Sequence, residues 1–181
     1  MFEDGVDDNF DIKHDSNFIT ISYCRFRYLK PPRKDGSGGC QDHRFSNMVG
    51  SSRHDKPSEG NYLVTFAYCW WDEGCNNRMP RTRNSHIHIL NCLWSAKHVS
   101  GYSGPEDADI LYDGCYFVSS KIIARYGGVI GVKFNNCICE AGERYLRDDT
   151  RRRNVEIPDY EYDILDPNEA KELIMNEFDK K

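Results

Sequence analysis

Ser85-His86-Ile87-His88-Ile89-Leu90-Asn91-Cys92-Leu93-Trp94 is answered 23 positions later by Ala108-Asp109-Ile110-Leu111-Tyr112-Asp113-Gly114-Cys115-Tyr116-Phe117. Both segments place apolar side chains five and three residues before a cysteine and an aromatic two residues after it. The same phase recurs along the chain. Cysteines stand at 24, 69, 92, 115 and 137, with Ile19 and Ile21, Val64 and Phe66, and Val132 and Phe134 preceding the other three. Phe26 and Trp71 follow two residues on, and Cys139 takes that place in the last unit. Alternation of this kind marks one inward face of a strand. The intervals of 45, 23, 23 and 22 residues leave no room for helical crossovers, the first being close to two periods. A strand returning to the same wall every 22 or 23 residues is one coil of a β-solenoid, with equivalent residues stacked about 4.8 Å apart. An antiparallel sandwich also spaces its strands regularly but has no need of one residue type at one phase. The expected fold is an all-β, right-handed parallel β-helix forming a single domain over residues 1–181.

Residues 29–61 break the period and are rich in Pro, Gly, Ser and basic side chains, so a loop inserted into one coil is expected there. A second irregular stretch, 142–154, carries Arg144, Arg147, Arg151, Arg152 and Arg153. It reads as a solvated loop, with contact to an anionic chain as the alternative. A short C-terminal helix is predicted over 166–179: Asp166 caps it, Pro167 suits its first position, and Leu173, Ile174 and Phe178 give it an apolar face. Its expected place is over the last rung of the solenoid. The net charge of −5 argues against a general nucleic-acid binder, and no run of about 18 apolar residues is present to span a membrane.

Two clusters carry chemistry. Asp7 and Asp11 form an Asp-x-x-x-Asp pair, hard oxygen donors of the kind that bind calcium. Arg78-Met79-Pro80-Arg81-Thr82-Arg83 gathers three arginines around a proline, suited to binding carboxylates. Asp11 lies 13 residues before Cys24 and Arg78 lies 14 before Cys92, so the two share a phase and hence a wall, about two coils apart. His86 and His88 share a strand face. They lack an evident third zinc ligand and read as a polar outer surface. Cys40 and Cys75 fall off the ladder phase in two loops flanking the proposed groove. A disulfide between them and a pair of free surface thiols are both open.

Asp7-Asp8-Asn9-Phe10-Asp11-Ile12-Lys13 with Asn17 to Tyr23, then Asp42-His43-Arg44-Phe45, Gly50-Ser51-Ser52 and Val64-Thr65-Phe66, closely resemble the calcium and strand motifs of family-one polysaccharide lyases, the pectate lyases. Arg78 to Arg83 followed by His88-Ile89-Leu90-Asn91 is similar to that family's Arg-x-Pro-x-x-Arg and following His motif, and Pro158 to Ile174 to its closing segment. The resemblance implies a lyase that cleaves polygalacturonate by calcium-assisted β-elimination to 4,5-unsaturated products. A pectin lyase acting without calcium, or an inactive fragment that binds polysaccharide, is the alternative. It implies Ca2+ as cofactor, Asp7 and Asp11 as its ligands, Arg78 as the base that removes the C5 proton, and Arg83 as a partner of a substrate carboxylate. The family's substrate-binding lysine before Gly-Ser-Ser has Arg44 and Lys30 as candidates here, and Arg53 stands where the family often has Asp. A secreted protein acting as a monomer is implied. The family has further coils, another calcium-binding Asp and a secretion signal ahead of the Asp pair, so Met1 is expected not to be the native start.

Overall fold

A computed structural model describes residues 1–35, 41–124 and 127–179. The strands stack into three parallel sheets, and each coil passes through them in one order. The first wall holds β2 (Asp8–Ile12), β5 (Phe45–Val49), β8 (Arg81–Arg83) and β11 (Gly104–Glu106). The second holds β3 (Ile19–Ser22), β6 (Tyr62–Ala67), β9 (Ser85–Leu90), β12 (Asp109–Asp113) and β14 (Gly131–Asn135). The third holds β1 (Phe2–Glu3), β4 (Arg25–Arg27), β7 (Trp70–Trp71), β10 (Leu93–Trp94), β13 (Tyr116–Phe117) and β15 (Ile138–Cys139). Neighbours within each wall pair in parallel, and Val64, Ile87, Ile110 and Val132 fall in one row. The parallel β-helix expected from the cysteine phase is the observed architecture.

The register is held from inside. The thiols of Cys69, Cys92, Cys115 and Cys137 each donate to a carbonyl of the preceding coil, those of Ile21, Phe66, Ile89 and Tyr112, at 3.3–3.5 Å. One residue before every ladder cysteine the chain turns a corner in the left-handed region: Tyr23, Tyr68, Asn91, Gly114 and Asn136 have φ of 50, 53, 50, 63 and 47°. At Gly114 only glycine fits, because a Cβ would lie 2.2 Å from Asn91 Oδ1. Beyond the corner the aromatics stack: ring centroids of Phe2–Phe26, Phe26–Trp71, Trp71–Trp94 and Trp94–Phe117 are 5.4, 5.6, 4.5 and 4.6 Å apart.

Helix α1 (Pro167–Asp179) starts under the Asp166 carboxylate, which accepts from Asn168 N at 2.9 Å. It does not cover the end of the solenoid as expected from its sequence. Ile174 and Phe178 are buried instead against Trp70, Leu93 and Tyr116, the outward side chains of the third wall. An amphipathic face binds a large apolar surface within reach, and on this wall β7, β10 and β13 are apolar on both faces. The end rung is served by 143–149: Val132 and Asp149 exchange backbone hydrogen bonds at 3.0 and 2.9 Å, and Asp148 accepts from Phe134 N.

The long excursion at 29–61 contains β5, which keeps the first wall continuous, and a turn organised by Asp55. The Asp55 carboxylate accepts from Ser51 N and Oγ and from Tyr62 OH, each at 2.7 Å. Although burial pushes its pKa upward, these bonds hold the Asp55 carboxyl down at about 2. Cys75 is buried among the core residues, its sulfur 3.2 Å from Ser46 Oγ and 3.3 Å from Phe26 O, and is no surface thiol. Its expected partner Cys40 lies outside the described residues.

Two predictions follow from this packing. Trp94→Ala removes the centre of the aromatic stack and a bond to Met79 O, and should lower unfolding stability by about 3–5 kcal/mol in a urea titration. Asp55→Asn should destabilise the chain at pH 7, with the deficit constant above the ordinary carboxyl pKa near 4. A depressed folded pKa means that the wild-type advantage is lost as pH falls through about 2. Thermal unfolding of both proteins between pH 2 and 7 reads this out, and a gap that persists unchanged at pH 2 contradicts it.

Candidate active site on the first wall

Ile12, Val49 and Thr82 point into the core, being 2%, 0% and 0% exposed, so their neighbours Asp11, Met48, Arg81 and Arg83 face out. The register aligns Asp11, Met48, Arg81 and Gly104 across four strands, and Arg83 with Glu106 in the row beside them. The phase argument holds: the aspartates and arginines expected to share a wall do so.

Arg78 sits on the turn entering β8. Its backbone is left-handed, φ 58°, and its amide donates to Asn77 Oδ1 at 2.6 Å. The next residue is bolted into the interior: Met79 N donates to Tyr102 O, and Met79 O accepts from Trp94 Nε1 and Ser103 Oγ, at 2.7–3.0 Å. The Arg78 guanidinium lies 4.1 Å from the Phe45 ring centroid, 2.5 Å from Asp8 Oδ2 and 3.8 Å from Asp7 Oδ1. Arg83 is fixed differently, with Nε on Glu106 Oε2 at 2.8 Å and Nη1 on Gly50 O at 2.7 Å. Glu106 also lies 3.4 Å from Arg81 Nη2, so one carboxylate orients both arginines.

Asp11 Oδ2 is 3.1 Å from Lys13 Nζ. Asp7 Oδ1, Asp8 Oδ1 and Asp11 Oδ1 are each buried without a hydrogen-bond partner. Burial pushes the Asp8 carboxyl up to about 6, against the pull of Arg78, and the neighbouring Asp11 and Asp7 add to the rise. Three orphaned carboxylate oxygens are the donor chemistry of a hard cation. In this arrangement no three Asp, Glu, His or Cys side chains among the described residues converge closely enough to hold a metal by themselves.

The remaining sequence candidates lie apart from this group. Arg44 is clamped by Asp42, Nε at 2.8 Å and Nη2 at 2.7 Å, and that hydrogen-bonded partner holds the Asp42 carboxyl below its usual range. Lys30 is 79% exposed and 3.6 Å from Asp4. Beside Arg78 stands the Phe45 ring. Asp8, Phe45 and Glu106 were not legible as site residues from motif spacing.

The histidine pair lies on the second wall, in a groove of about 500 Å³ under the C-terminal segment. His88 bridges Asp113 at 2.9 Å and Tyr160 OH at 2.6 Å, and Tyr160 OH meets Thr65 Oγ1 at 2.7 Å. His86 lies 2.7 Å from Asp109 and 2.9 Å from Glu156. Both imidazoles tie residues 153–160 to the sheet, as a polar outer face does.

Comparison with known proteins places this geometry. The sequence profile of the family described as Pectate lyase matches residues 2–144. The pectate trisaccharide-lyase of Thermotoga maritima is 33% identical over 105 residues, 57% of this chain and 24% of that protein. Among solved structures, the cedar pollen allergen jun a 1 superposes with a TM-score of 0.72 at 19% identity, over 97% of this chain and 50% of that one. Pectate lyase C of Erwinia chrysanthemi, solved with Ca2+, gives 0.66 at 17% identity, over 91% and 47%. The chain thus spans about half the length of these solved structures, and its match to the curated relative about a quarter of that protein. The chain belongs to the pectate lyase family.

Proposed function

We propose that the first wall is the substrate face of a polysaccharide lyase that cleaves polygalacturonate by calcium-assisted β-elimination. The observation that carries this reading is the gathering along one wall of Arg78, Arg83 and three aspartates, each with a buried oxygen that accepts no hydrogen bond.

In this reading Arg83 receives a galacturonate carboxylate. Glu106 and Gly50 O fix its Nε and one terminal nitrogen, which leaves the other terminal nitrogen to donate outward. Arg78, as a neutral guanidine, accepts the C5 proton. The C5–H electron pair becomes the C4=C5 double bond, and the C4–O bond breaks with its oxygen taking a proton from solvent. Asp7 and Asp11 would hold calcium, which when bound withdraws charge from the carboxylate next to C5. The aspartates also favour this reading over a calcium-free pectin lyase, because a neutral methyl ester gives three carboxylates nothing to neutralise. A role outside the cell is consistent with a polymeric plant substrate and belongs to the same proposal.

With polygalacturonate and calcium, the reaction should generate the ultraviolet absorbance of unsaturated uronate ends. Arg78→Lys should lower kcat by about 100-fold or more with KM little changed, and Arg83→Ala should chiefly raise KM. New reducing ends without that absorbance would identify a hydrolase and end the lyase reading.

A further inference from the structure

The geometry points to Asp8 as a shared ligand: Arg78 holds it through an ion pair, and a divalent cation seated by Asp7 and Asp11 takes that carboxylate and releases the guanidinium into the groove. This rests on the calcium reading above and deepens it, because it makes cation binding the event that unmasks the base.

Asp8 is not a solvated acid. Its side chain is 4% exposed; Oδ2 lies 2.5 Å from Arg78 Nη1 and Oδ1 has no hydrogen-bond partner. The guanidinium is pinned on three sides by Asp8, by Asp7 at 3.8 Å and by the Phe45 ring at 4.1 Å. So held, Arg78 presents N–H donors and has no lone pair to offer a C–H. It can act as a base only after leaving Asp8 and giving a proton to solvent. Meanwhile one guanidinium and the half-exposed Lys13 ammonium face three carboxylates, and one buried oxygen of each accepts no hydrogen bond. That deficit favours a small cation able to take several oxygens at once. A divalent ion and a guanidinium repel each other, so each weakens the hold of the other on Asp8.

A double-mutant cycle on calcium affinity, read by isothermal titration calorimetry on the 181-residue chain, tests the sharing independently of turnover. Arg78→Ala removes the competitor and should tighten calcium binding roughly five- to tenfold, the scale of one partly buried ion pair. Asp8→Asn should weaken it. In the Asp8→Asn background, Arg78→Ala should then change affinity less than about twofold. An equal tightening in both backgrounds would mean that Arg78 acts only as a nearby charge and would overturn the proposal, as would no tightening in either. If wild-type chain takes up no calcium at millimolar concentration, the calcium reading itself fails and the sharing with it. Circular dichroism checks each fold, and Asp8→Ser replaces Asp8→Asn should the latter unfold.

Discussion

In a solenoid each coil hydrogen-bonds only to the coils beside it, so position within a coil decides which wall a side chain faces. That constraint governs everything else in this molecule. The ladder thiols, donating one coil back, and the stacked Phe26, Trp71, Trp94 and Phe117 rings fix the register. Because register is fixed, Asp8 and Arg78, 70 residues apart in sequence, meet at hydrogen-bond distance beside one wall. Shifting one coil by a single residue would turn its outward side chains into the core and dismantle the site.

The interior was readable because its demands repeat: the same volume must be filled at the same phase in every coil. The corners were half readable. Asn91, Gly114 and Asn136 are residue types that tolerate a left-handed backbone, but Tyr23 and Tyr68 occupy the equivalent corners and hide the pattern. The helix was recognised and misplaced. Its capping and apolar face say that it buries something without saying what. The missing signal was present in Trp70-Trp71, Leu93-Trp94 and Tyr116-Phe117, adjacent apolar residues on two-residue strands, which require a cover on the outer face of the third wall.

The site was legible where it followed strand phase and opaque where it followed loops. Asp7 and Asp11 obey the spacing of a metal pair. Asp8 falls between them and draws its meaning from Arg78 and Phe45, which reach it from a turn and from a strand inside the long excursion. Electrostatically the two outer walls divide the labour. On the second wall His88 pairs with Asp113 and Tyr160, and His86 with Asp109, which anchors the C-terminal segment. On the first wall the carboxylates retain unpaired oxygens. An unsatisfied buried carboxylate costs stability, and such costs persist where a ligand completes the set.

The central claim is that the first wall, and no other surface, takes the acidic polymer. A crystal structure of the chain with calcium and an oligogalacturonate, determined on the Arg78→Lys variant to prevent turnover, examines it directly. The account predicts sugar rings lying across β2, β5 and β8, one carboxylate on Arg83 and electron density for a cation at Asp7 and Asp11. Sugar bound instead in the second-wall groove beneath Tyr160, with the first wall bare, would contradict it.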